Sequence, residues 1–197
     1  MTTRKHVFYG ILALVTLLGP GITQSARANL ITNGGFETGD FSGWTVMGID
    51  NDVVGNQPFT PPHSGNYQAL FGYLPNSITS QNVATTPGSS YIVTFWLAAD
   101  ISHSGSPSFS VNWGGSTIFN YVFPSGGSFG YTEYTFNVNA LSAATPLQFQ
   151  FNSIFGNLFY LDDISVTPAN VPDGGSTVAL LGFALLGVVV LRRKLCC

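Results

Sequence analysis

The residue types able to do chemistry are few and lie apart in the chain. Asp100 and His103 fall within Asp-Ile-Ser-His-Ser and His63 directly precedes Ser64, so a Ser/His/Asp set can be drawn from His63 or His103, Ser104 and Asp100. Such a set could activate a hydroxyl nucleophile, as in a small secreted hydrolase. No Gly-x-Ser-x-Gly elbow and no two-His metal motif accompanies it, and Ser- and Gly-rich loops produce such sets by chance, so catalysis is not expected. Asp50-Asn51-Asp52 with Gly55 begins like a calcium loop. Val54 takes its fifth position and Pro61 its twelfth, where a bidentate Glu is required, so the stretch reads as a turn.

The elements that must carry any site read as strands. Phe109, Val111 and Trp113 alternate with Ser108, Ser110 and Asn112; Tyr134, Phe136 and Val138 alternate with Thr135, Asn137 and Asn139; Leu147, Phe149 and Phe151 alternate with Gln148, Gln150 and Asn152. A period of two puts one apolar face on a core and one Ser/Thr/Asn/Gln face in water. Residues 91–98 (YIVTFWLA) are apolar on both faces and are expected as a central strand. Clusters such as Thr86-Pro87-Gly88-Ser89 and Pro124-Ser125-Gly126-Gly127 supply turn chemistry between the runs. About nine short strands without an amphipathic helix between them predict an all-β fold, an antiparallel β-sandwich.

Charge is distributed unevenly. All six basic residues (Arg4, Lys5, Arg27, Arg192, Arg193, Lys194) lie in the terminal segments, whereas residues 29–170 hold eight acids and no Lys or Arg. A surface of that kind cannot neutralise phosphates, which excludes nucleic acid as a partner and leaves neutral sugars or multivalent cations. Both cysteines, Cys196 and Cys197, sit at the extreme C-terminus and read as free thiols, so the body of the chain must be held by its core alone.

Both ends have the form of addresses. Arg4 and Lys5 precede the apolar residues 7–18, Gly19-Pro20-Gly21 follows, and Ala26-Arg27-Ala28 offers small residues for cleavage, so residues 1–28 read as a secretory signal peptide. At the other end Val171, Pro172, Asp173, Gly174 and Gly175 lead into the uncharged residues 177–191, which reach roughly 22 Å as a helix at about 1.5 Å per residue. Arg192, Arg193 and Lys194 close that segment as a stop-transfer cluster on the cytoplasmic side. The order of short motif, apolar helix and basic cluster resembles the PEP-CTERM class of bacterial sorting tails, in its VPDSG-CTERM variant with Gly174 in place of Ser. The resemblance implies a membrane-embedded exosortase that recognises residues 171–175 and processes the chain, placing the protein at the cell envelope or outside the cell. Pro172 and Asp173 are then recognition residues, and residues 168–176 are the linker that carries them.

The predicted sandwich, residues 29–167, carries a second resemblance. Residues 29–45 (NLITNGGFETGDFSGWT) and 159–167 (FYLDDISVT) look like the first and last strands of CenC-type carbohydrate-binding jelly rolls of the galactose-binding-like class. Pro62-His63-Ser64-Gly65 followed by Tyr67 and Phe71, and the strand Tyr131-Thr132-Glu133-Tyr134-Thr135-Phe136, fit the same pattern. The resemblance implies that first and last strands lie side by side with a structural calcium ion near them, and that Glu37 with Asp162 or Asp163 supplies its carboxylates. Carbonyls of Gly34-Gly35 or Thr38-Gly39 could complete the oxygen set. The alternative is that Asp162 and Asp163 keep an edge strand wet and Glu37 caps a turn.

Such modules hold neutral sugars by stacking them on exposed rings with amide and carboxylate contacts at the edges. Trp44, Tyr67, Tyr73, Trp96 and Trp113 are candidate platforms, but alternation turns Trp113 to the apolar face beside Phe109 and Val111. Phe59, Tyr67 and Tyr73 are the selected sugar-contact residues, Phe59 and Tyr73 because they sit in Pro-containing loops. The expected function is that of a non-enzymatic surface or matrix protein that binds extracellular polysaccharide. The alternative is a structural or adhesive protein with no sugar site.

Overall fold

Alternation settles the architecture. In the computed structural model, which describes residues 28–48, 51–57, 60–72, 77–152, 156–169 and 182, ten strands form. They are β1 (Thr45–Met47), β2 (Asn51–Val54), β3 (Gln68–Gly72), β4 (Ser77–Ala84), β5 (Ser90–Asp100), β6 (Ser108–Trp113), β7 (Ser116–Val122), β8 (Phe129–Asn139), β9 (Ala144–Asn152) and β10 (Leu158–Pro168). Sheet A has the order β1-β4-β9-β6-β7 and sheet B the order β2-β3-β10-β5-β8, with every pairing antiparallel. Residues 27–170 form one compact unit. The expected all-β sandwich is observed, and residues 91–98 fall in β5, an interior strand of sheet B. The signal peptide, the sorting motif, the C-terminal apolar segment and the stop-transfer cluster lie outside the described residues.

The core is a phenylalanine lattice between the sheets. Phe109, Val111 and Trp113 of β6 and Leu147, Phe149 and Phe151 of β9 are buried, as the period of two requires. They meet Phe71, Phe95 and Phe159 of sheet B: Phe71 stacks on Phe151 at 4.0 Å between ring centroids, and Phe95 meets Phe149 edge-on at 5.3 Å. Each buried ring contributes roughly 1.5–3 kcal/mol by leaving water, and each well-placed pair about 0.5–1.5 kcal/mol more. With no cysteine in this region, that lattice does the work a disulfide does elsewhere. β6 turns into β7 through Gly114-Gly115, whose φ values of 58° and 84° suit the two-residue turn closing the Trp113–Ser116 pair.

The first expected strand forms differently. Residues 28–44 run through turns and bends, and of the expected 29–45 strand only Thr45 enters one. Asn33 and Phe36 take φ values of 53° and 57°, a left-handed conformation that an extended strand cannot include. The segment nevertheless lies along the last strand: the Leu30 N–H donates to the Val166 carbonyl at 2.8 Å and the Ile164 N–H to the Gly34 carbonyl at 3.0 Å. Nor is β10 an edge strand, since it pairs with β3 on one side and β5 on the other. The edge-strand role for Asp162 and Asp163 is thereby overturned.

Candidate functional site

The outer face of sheet A is a field of amides and hydroxyls. Register places Ser80, Gln148, Asn112 and Thr117 in one row, Ile78, Gln150, Ser110 and Asn120 in the next, and Asn152, Ser108 and Val122 in a third. No Asp, Glu, Lys or Arg occurs in any of the five strands of this sheet. Neighbours within a row lie about 4.8 Å apart and successive rows about 6.8 Å, so donors and acceptors recur at a regular pitch. Some are already committed: Asn112 donates to Gln148 Oε1 at 3.4 Å and accepts from the Thr117 hydroxyl at 2.7 Å. Gln148 and Gln150 are half-buried, and Asn152 is exposed.

The outer face of sheet B is built from other materials. Its strands hold Asp52, Asp100, Glu133, Asp162 and Asp163, and residues 60–67 between β2 and β3 fold down over it. Gln68, fully buried, ties that loop to the sheet by donating from Nε2 to the Thr60 carbonyl at 2.6 Å while its Oε1 accepts from the Tyr131 hydroxyl. His63 stacks on Trp96 with ring centroids 3.7 Å apart and contacts Tyr131 edge-on at 5.4 Å. Its Nδ1 lies 2.6 Å from Asp163 Oδ2, and the Ser64 hydroxyl donates to Asp163 Oδ1 at 2.8 Å.

A bulge in β10 makes this arrangement possible. The register with β5 shifts between Asp162 and Ser165, and Asp163 takes a φ of 47°, so two successive carboxylates serve one loop. Asp162 is fully buried; its Oδ2 accepts the N–H groups of His63 (2.9 Å) and Ser64 (3.3 Å), and its Oδ1 accepts the Asp163 N–H (2.8 Å). Burial pushes its pKa up to about 7, helped by the charge of Asp163 and opposed by those N–H donors. Burial also raises Tyr131 well above the ordinary tyrosine range, and Asp162 and Asp163 add to the rise. Glu37 completes the set of fastenings from the far side, accepting the N–H groups of Asn66 and Tyr67 at 2.9 and 3.0 Å.

Glu37, Asp162 and Asp163, selected from the sequence, therefore converge on one loop, around Gly35: a Cβ there would stand 3.4 Å from Asp163 Oδ1 and 3.7 Å from Asp162 Oδ1. Among the described residues no three His, Cys, Asp or Glu side chains are arranged to hold a metal ion. Tyr67 is exposed and its ring lies against Gly39, whereas Phe59 and Tyr73 fall outside the described residues. Trp113 and Trp44 are core residues, and His63 covers Trp96. The Ser/His/Asp set does not assemble: His63 pairs with Asp163, and His103 Nδ1 meets the Ser102 hydroxyl at 3.1 Å.

A groove of about 640 Å³ opens where the loop meets the sheet, between Pro61, Pro62 and His63 on one side and Asp100, Phe129 and Tyr131 on the other. Neither this groove nor the amide field was selected from the sequence. The alternation of Gln148 and Gln150 with Leu147, Phe149 and Phe151 was the available signal for the field; nothing in the chain announced that residue 63 would sit on residue 96.

Residues 170–195 match the VPDSG-CTERM motif. Solved structures with the same fold include a family 61 carbohydrate-binding module in complex with β-1,4-galactotriose, 22% identical over 72% of this chain and 99% of that one, with a TM-score of 0.59. A family 16 carbohydrate-binding module is 19% identical, covering 71% of this chain and 99% of its own, with a TM-score of 0.54. The CBM22-1 xylan-binding domain of Xyn10C from Paenibacillus barcinonensis is 14% identical over 75% and 98% of the two chains, with a TM-score of 0.51. At these identities the likeness is one of fold. No curated protein matches the sequence.

Proposed function

We propose that this chain is an exported surface protein, processed by an exosortase-type membrane peptidase at residues 171–175, whose β-sandwich binds neutral extracellular polysaccharide without catalysis. The tail reading is supported by the VPDSG-CTERM match. The observation that carries the binding reading is the outer face of sheet A, where polar rows lie in register with no charged residue in any strand. Hydroxyl groups of a sugar polymer exchange hydrogen bonds with amides and hydroxyls as readily as water does. A sheet in fixed register sets the spacing of those partners beforehand and so lowers the ordering cost of binding. The carbohydrate-binding modules that share the fold support the reading, the first of them holding a galactan fragment.

Calcium is a separable part of this proposal. Asp162, Asp163 and Glu37 offer the hard oxygens that such an ion prefers, and Asp162 is buried in a domain without Lys or Arg. As placed, their oxygens hold the N–H and O–H donors of residues 63–67, so an ion would enter in competition with them. Bound to the native state alone it must raise the melting temperature. An unchanged melting curve in calcium and in chelator removes the ion from the proposal.

The binding test is retention of the full-length protein, in detergent, on a panel of neutral polysaccharides. Gln148→Ala with Gln150→Ala should abolish retention; a wild-type protein retained by none of them favours a structural or adhesive role. The sorting reading is tested by Pro172→Ala with Asp173→Ala, which should leave the tail on the product in cells that contain an exosortase. Normal trimming of that variant would remove exosortase recognition from the proposal.

A further inference from the structure

We infer that the groove on sheet B is a second binding site, distinct from the amide field, and that it takes a positively charged amino-sugar unit. Its volume of about 640 Å³ falls within the range of small-ligand pockets and accommodates one to a few sugar rings. Both walls are fixed before any ligand arrives. The 60–63 wall is held by the buried Gln68 at Thr60, by the buried Asp162 at the His63 N–H and by Asp163 at the His63 ring. The opposite wall stands where the β5–β8 register shifts between Leu97 and Ala99, and there the Ser128 hydroxyl accepts the Ile101 N–H at 2.7 Å.

The lining selects the ligand. Asp100 is half-buried in the groove, and its hydrogen bond from Ser128 is long, at 3.4 Å, which leaves the carboxylate able to take a stronger donor. An ammonium group is such a donor, because a charge-assisted bond is shorter and roughly twice as strong as a neutral one. Phe129 and Tyr131 line the same space, and with Pro61 and Pro62 they offer apolar surface to a sugar's C–H groups. No Lys or Arg occurs from residue 28 to residue 170 to compete for Asp100. An anionic sugar is repelled by Asp100, and a neutral one offers it only uncharged donors, which it holds less strongly than an ammonium.

With a neutral polymer on one sheet and an amino-sugar polymer on the other, one sandwich would join two kinds of strand in a matrix. The groove inference does not depend on the sheet A reading. It is tested by calorimetric titration of the full-length protein with a glucosamine trimer, its fully N-acetylated counterpart and tri-lysine, at about pH 6, where such amines are protonated. The expected result is binding of the glucosamine trimer about tenfold or more tighter than of either other ligand. Asp100→Asn should remove that preference, whereas Asp52→Asn, which deletes an acid of the same sheet outside the groove, should keep it. Retention on neutral polysaccharide should be unaffected by Asp100→Asn and lost with Gln148→Ala and Gln150→Ala, so either reading can fail alone. Equal binding of the acetylated trimer, equal binding of tri-lysine, or no binding of the glucosamine trimer by the wild-type protein overturns the inference.

Discussion

The two outer faces of the sandwich come from the same rule of alternation and end as opposites. Sheet A presents its polar rows to water with no charge in its strands; sheet B carries every acid found in a strand among the described residues and then hides part of them under residues 60–67. A face left bare needs only groups that water can satisfy. A face that is covered must satisfy its own, and here each carboxylate behind the loop has a matched set of donors: two loop N–H groups at Asp162, the His63 ring and Ser64 hydroxyl at Asp163, two more N–H groups at Glu37. Asp162 and Asp163 of sheet B, with Glu37 beside them, are thus the fastenings of a loop. Their energetic weight should differ from that of the amides on sheet A, and substitutions can measure by how much.

The largest effect is expected at Gln68. Gln68→Leu leaves the Thr60 carbonyl and the Tyr131 hydroxyl without their partner in a half-buried place, at a cost of about 1–3 kcal/mol. Urea unfolding should show a lower midpoint, and the groove should lose its ligand with it. A midpoint that does not move would mean that the loop is not fastened there.

Next comes the pH dependence set by Asp162. Its folded pKa of about 7 lies above the ordinary 3.8, so the native state holds that proton more tightly than the unfolded chain does. The stability it contributes is fully present below about pH 4 and is lost as the pH rises from about 4 to about 7. Asp40, whose carboxyl is held below its usual range by Ser42 and Thr38, acts in the opposite direction and is common to wild type and variant. Comparison of the two therefore isolates Asp162: the melting temperature of Asp162→Asn relative to wild type should climb between those pH values. A constant difference would place the carboxyl in a wetter setting than the structure gives it.

The smallest effect is expected on the bare face. Gln148→Ala with Gln150→Ala should alter unfolding free energy by no more than about 0.5 kcal/mol per residue, as befits groups whose alternative partner is water. Loss of polysaccharide retention without loss of stability would separate the two faces cleanly. A strongly destabilised double variant would show instead that the rows brace the sheet.

Strands β6 and β9 were legible because their buried members recur at every second residue, and β5 because it is apolar throughout. β8 followed the pattern less fully: Tyr134 and Phe136 are only half-buried, since an edge strand has a neighbour on one side. The Asn29–Thr45 stretch misled in form but not in place, because Asn33 and Phe36 bend backward while Leu30 still pairs with Val166. The three acids were found by resemblance, and their loop partners were not foreseen. Trp96 looked like a platform only as long as His63 was ignored.

Periodicity, composition and the terminal motif thus determined by themselves that the body is a base-free, disulfide-free sandwich with a sorting tail, because each of those properties is local to a few residues or a simple count. Which face stays bare, where Asp162 finds its donors, and that Pro61 and Tyr131 share a groove were decided only by the tertiary structure. Alternation fixes which way a side chain points from its strand. What comes to lie on top of it depends on contacts between residues as far as a hundred or more positions apart, as His63 and Asp163 are, and no local pattern encodes them.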